Sequence, residues 1–117
     1  MPYMLLIMEP PGQRAERGRA AGEQVYAQMA GFAEELKRRG VLRGVESLAS
    51  DAKGARVQVR DGRARALDGP FAEAKELVGG FFVLDCASLA DAVAIAAECP
   101  AAQWATVEVR ELGPCWA

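Results

Sequence analysis

Arg56-Val57-Gln58-Val59-Arg60, Asp61-Gly62, Arg63-Ala64-Arg65-Ala66-Leu67 is the stretch on which the fold turns. Both runs alternate apolar and polar residues with the period of a strand. Asp-Gly between two such runs is a strong hairpin signal, because both central turn residues then need a positive φ. Set this hairpin aside and the remaining elements read βαββαβ, the order of a ferredoxin-like unit.

Working outward, Asp68-Gly69-Pro70-Phe71 follows the hairpin at once. Asp, Gly and Pro are turn formers, and Pro is favoured at the first helical position. The next residues, Ala72-Glu73-Ala74-Lys75-Glu76, are therefore expected to form a short charged helical segment. Gly79-Gly80-Phe81-Phe82-Val83-Leu84-Asp85 reads as a strand that is apolar on both faces. Tyr3-Met4-Leu5-Leu6-Ile7-Met8 has the same character, so both are expected at the centre of a sheet. Glu9-Pro10-Pro11-Gly12 ends the first strand, and Gln13–Gly22 reads as a mobile polar loop.

A helical period runs from Glu23 to Arg39, with Val25, Met29, Phe32 and Leu36 on one face. Gly40 stops it, and Val41–Leu48 is a further strand carrying Glu46. Ser88 opens a second helix in a Ser-x-x-Asp variant of the capping box. Leu89, Ala92, Val93 and Ala96 form its expected buried stripe, and Cys99-Pro100 ends it. Thr106–Arg110 is the last strand. An antiparallel sheet with both helices on one face leaves two doubly apolar strands bare on the other. A second copy packed sheet to sheet is the simplest cover, so a homodimer is expected.

The 117 residues are enough for one domain, 1–117, and 51% of them are apolar. A net charge of −2 from 14 basic and 16 acidic residues gives no global case for nucleic acid or an anionic membrane. No apolar run approaches membrane-spanning length. Met1-Pro2-Tyr3 lacks a basic leader, and three scattered cysteines form no C-x-x-C pair, so a cytoplasmic protein is expected. The absence of histidine excludes His-based acid–base catalysis and Ser-His triads.

Several groups could carry chemistry. Asp68 is either a catalytic or ligand-binding carboxylate or an Asx-type residue whose side chain caps backbone donors at the turn. Glu73 and Glu76 would share a helical face, which suits acid–base work or simply a solvated surface. Phe71 anchors the turn in the core or lines a pocket. Lys75 could hold an anion or pair on the surface, and Glu46 sits near the expected cleft or faces solvent. Asp68 and Glu73 are thus the candidate catalytic residues. Glu46, Phe71, Lys75 and Glu76 are the candidate ligand-binding ones. No metal set is apparent. Arg56, Arg60, Arg63 and Arg65 read as a solvated hairpin face.

The complete Asp68-Gly69-Pro70-Phe71-Ala72-Glu73 run, with Phe32-Ala33-Glu34-Glu35-Leu36, Gly79-Gly80-Phe81-Phe82 and Cys99-Pro100-Ala101-Ala102, resembles the YCII-related proteins. Within them it resembles the branch named for the Asp-Gly-Pro-Phe motif. The resemblance implies a dimeric α/β barrel with a ligand cleft and no cofactor. It also implies a link to extracytoplasmic-function sigma factors, so a non-enzymatic regulatory module is the alternative function. Relatives in the wider superfamily use a His-Asp pair, and the helix position of that His falls near Met29 here.

Overall fold

The computed structural model describes residues 1–117. Its main sheet is antiparallel, with β1 (Pro2–Glu9) and β5 (Leu77–Asp85) at the centre, β2 (Leu42–Ser47) beside β5 and β6 (Thr106–Glu111) beside β1. The expectation of two central strands is met, because β1 and β5 each pair with a neighbour along both edges. β3 (Ala55–Arg60) and β4 (Arg63–Asp68) form a separate two-stranded hairpin. Asp61 at φ 52° and Gly62 at φ 73° make its turn, so the Asp-Gly signal identified the right two residues.

Side chains alternate across the sheet. Tyr3, Leu5, Ile7, Phe82 and Leu84 point to one face and are buried there. They meet Phe32 and Leu36 from α2 (Arg19–Arg38) and Ala92, Ile95 and Ala96 from α3 (Leu89–Glu98). Phe32 stacks edge-on against Phe82 at 5.4 Å between ring centres. Burying such side chains contributes about 1.5–3 kcal/mol each. The other face carries Met4, Leu6, Met8, Phe81 and Val83, all only half-buried. No helix is long and apolar enough to cross a membrane.

Four expectations are corrected. The loop expected over Gln13–Gly22 is instead α1 (Gln13–Arg17) and the first turn of α2, separated by Gly18 at φ 80°. Glycine composition suggested a loop, but Gly18 sits between the two helices, and Gly22, in the first turn of α2, faces open space where no side chain is needed. The stripe expected on α3 is rotated. Leu89 and Val93 are half exposed, at 52% and 50%, and Ile95 is buried in their place. Ser88 does cap this helix, its Oγ accepting from the Asp91 backbone N–H at 3.2 Å.

The charged segment after Pro70 is not helical. A single turn bond, Ala74 N–H to Phe71 C=O at 3.0 Å, is all it forms before β5 begins. Few residues separate the end of β4 from β5, and Phe71 is pinned at their start, so no helix can nucleate. Glu73 and Glu76 consequently share no helical face.

The expectation for the core anchor also changes. Phe71 is half-buried and lies outside the main core. The Arg56 guanidinium covers its ring at 4.4 Å, and its backbone N–H donates to the Asp51 carboxylate at 2.8 Å. Asp51, not Asp68, therefore supplies the capping carboxylate of this turn. Gly69 is required here, because a Cβ would overlap the Asp51 carbonyl, with that carbonyl carbon only 2.8 Å away. The Asp-Gly-Pro-Phe motif thus clamps the base of the hairpin to the Asp51–Lys53 turn.

Candidate functional site

The apolar face of α2 changes along its length. Phe32 and Leu36 in its C-terminal half are buried on the sheet, whereas Val25 and Met29 in the N-terminal half are only half covered. The helix and sheet diverge there, leaving a cleft of about 1020 Å³. This is at the upper end of the range for small-molecule sites. Ile7, Phe82, Met29 and Trp104 supply apolar surface, and Arg17, Arg19 and Glu23 supply charge.

Arg14 fixes the geometry of the cleft end. Its Nε meets the Glu9 carboxylate at 2.7 Å. One terminal nitrogen donates to the Leu48 carbonyl at 2.8 Å and the other to the Gly79 carbonyl at 3.1 Å. One guanidinium thereby ties α1 to β1, to the end of β2 and to β5. The planar five-donor fork of arginine is suited to serving three such spread acceptors at once. Gly79 makes room for it, since a Cβ there would lie 2.7 Å from Glu9 Cδ and 3.0 Å from an Arg14 nitrogen. Gln13 secures the same helix on its other side by donating to the Trp104 carbonyl at 2.6 Å.

Arg17 differs from its neighbours. Arg14 is held by Glu9, and Arg19 by Glu23 at 2.9 Å. Arg17 is half-buried and makes no ion pair, and its guanidinium lies 5.7 Å from the centre of the Trp104 ring. It therefore presents free donors at the cleft wall. No side chain caps the adjoining N-terminus of α2, and no acidic residue lies in its first turn.

The residues expected from the sequence are scattered around this cleft. Glu46 borders it. Its row-mate in β5 is Phe81, however, whereas Val45 pairs with Phe82 on the helix side. Strand alternation therefore turns the Glu46 carboxylate to the open face. Lys75 and Glu76 line a separate depression of about 440 Å³, which shares only the Trp104 wall with the cleft. Asp68 and Glu73 are exposed and line neither cavity. The structure does not bring these residues together.

Sequence reasoning missed Arg14, Arg17, Glu9 and Trp104. One usable signal was the Gly79-Gly80 doublet, since glycine inside a strand often marks a close approach by another group. Met29, on the face of α2 expected to be buried, lines the cleft.

Comparison with known proteins agrees with this architecture. An uncharacterised protein of Rhizobium meliloti is 30% identical over 114 residues, covering 96% of this chain and 92% of the relative. Among solved structures, the 5-chloro-2-hydroxyhydroquinone dehydrochlorinase of Burkholderia phenoliruptrix, solved in complex with 2,5-dihydroxybenzoquinone, is similar in fold. That likeness has a TM-score of 0.54 at 16% identity, over 97% of this chain and 94% of the other. Residues 1–115 match the YCII-related domain, and the chain belongs to that family.

Proposed function

We propose that this protein, a cytoplasmic homodimer of the Asp-Gly-Pro-Phe branch, binds a small polar or anionic organic molecule in the cleft between α1–α2 and the sheet. The observation that carries the reading is the cleft itself. It is large, it has an apolar floor, and a single braced arginine, Arg14, holds its end wall. A fold relative solved with a small quinone supports the same class of ligand. Acid–base chemistry by Asp68 or Glu73 would require a second ligand position at the hairpin base, so the function proposed is binding. No feature of the fold or of the relatives favours a sigma-factor partner over this.

The dimer would join two ferredoxin-like units through their open sheet faces, giving a dimeric α/β barrel. Met4, Leu6, Met8, Phe81 and Val83, apolar and half-buried, support that arrangement. Thermal unfolding in the presence of a panel of small polar and charged organic compounds tests the cleft. At least one compound should raise Tm for the native protein and not for Ala30→Trp, which fills the cleft from an exposed helix position. Equal shifts in both proteins, or none in either, would overturn the proposal.

A further inference from the structure

The geometry points to an amphipathic anion as the ligand: an apolar body carrying one carboxylate or comparable anionic group, with Arg17 as the receptor for that group. This rests on the cleft being the ligand site. Of the three arginines that line the cleft, Arg14 is paired with Glu9, and Arg19 pairs with Glu23 while standing almost wholly in water. Arg17 alone keeps its charge unopposed while half withdrawn from water. The Arg17 guanidinium lies over the Trp104 ring, 5.7 Å from its centre, and its N–H groups meet no protein acceptor. A carboxylate can therefore dock on those groups in a two-bond fork. The uncapped α2 N-terminus beside it adds partial positive charge on the same side.

The opposing charges lie elsewhere. Glu34 also lines the cleft, but at 1.5 Å per helical residue it stands about 22 Å along α2 from Arg19. The Glu46 carboxylate faces the other side of the sheet, as its strand register requires. Between Arg17 and the sheet, the surfaces of Trp104, Met29, Phe82 and Ile7 are apolar. A cation would meet Arg17 unfavourably, and a strongly hydrated polyanion would lose its water against an apolar floor. One charge at one end and a hydrocarbon body fit both surfaces.

The protein has two tryptophans, Trp104 and the exposed Trp116. In isotope-labelled Trp116→Phe protein, the one remaining indole N–H resonance therefore reports the cleft directly. Benzoate, benzamide and benzylamine, nearly equal in shape and different in charge, serve as probes. Benzoate should shift the resonance saturably, with an affinity at least about tenfold above that of benzamide, as a charge-assisted fork requires. Adding Arg17→Ala should remove that advantage, and Arg17→Lys should restore part of it. Benzamide binding as well as benzoate, or Arg17→Ala retaining the preference, would overturn the anion assignment and leave the cleft as a binding site. If no probe moves the resonance, the assignment falls, and the thermal panel separately decides the fate of the cleft.

Discussion

Replacing Arg14 with alanine should be the most damaging change of a charged residue in this protein. The substitution removes two charge-assisted hydrogen bonds to main-chain carbonyls and one ion pair. Hydrogen bonds to charged groups contribute about 1.5–3 kcal/mol when buried. The Arg14 side chain is 36% exposed, so water replaces part of each. Glu9 is only 14% exposed and would be left without its cation, at a cost below the 3–5 kcal/mol typical of a fully buried pair. The sum comes to about 3 kcal/mol, a large share of the 5–15 kcal/mol that holds a domain together. With unfolding entropy of about 2.1 cal/mol/K per residue over this length, Tm should fall by about 12 °C.

Arg19 provides the internal control. Its pair with Glu23 is 92% and 68% exposed, so Arg19→Ala should change stability by less than about 0.5 kcal/mol. Urea unfolding at one fixed protein concentration, run as a double-mutant cycle with Glu9→Gln, isolates the coupling. Arg14→Lys should recover only part of the loss, because an ammonium cannot reach three acceptors in one plane. A Tm drop below about 2 °C for Arg14→Ala, corresponding to about 0.5 kcal/mol, would refute the view that this guanidinium braces the cleft.

Gly69→Ala should destabilise the hairpin base by at least about 2 kcal/mol, since the obstacle is backbone and cannot swing aside; faster proteolysis between residues 50 and 70 would register it. Leu6→Glu, at the centre of the open sheet face, should convert a dimer to monomers in light scattering while leaving far-UV circular dichroism unchanged. Of the three free thiols, Cys115 should react rapidly with a thiol reagent, and the buried Cys86 and Cys99 only on unfolding. Burial pushes both buried thiols up, aided at Cys86 by the Asp91 and Asp85 carboxylates and opposed at Cys99 by backbone hydrogen bonds. Their native pKa values therefore lie above the unfolded value of about 8.5. Stability should hold below that pH and fall as pH rises beyond it, where the unfolded chain releases protons that the native state keeps. Cys86→Ala with Cys99→Ala should flatten that alkaline decline.

Local periodicity was enough to locate six strands, the Asp61-Gly62 turn, the Ser88 cap and the buried face of α2 over Phe32 and Leu36. Each of these is decided by residues within a few positions of one another, and alternation or helical spacing records such neighbours directly. The family was legible for the same reason, in contiguous motifs. The errors came where local composition suggested one thing and a distant contact decided another. Gly-rich Gln13–Gly22 became helix because Arg14 and Gln13 found partners in β1, after β2, in β5 and at Trp104. The segment after Pro70 failed to become helix because Phe71 was bound to Asp51, 20 positions away.

The Asp68–Glu76 corner is prominent in the sequence because a clamp of turn formers is compact in sequence. The cleft is not, since its cations, Trp104 and its glycines come from α1, α2, β5 and the turn before β6. Strand order and helix placement bring them together, and only the folded chain sets those distances. The sequence alone therefore determined the family, the six strands and the hairpin that interrupts them. The tertiary structure decided which arginine is spent on bracing and which is left free to meet a ligand, because an ion pair depends on where a carboxylate lies in space and not on its position along the chain.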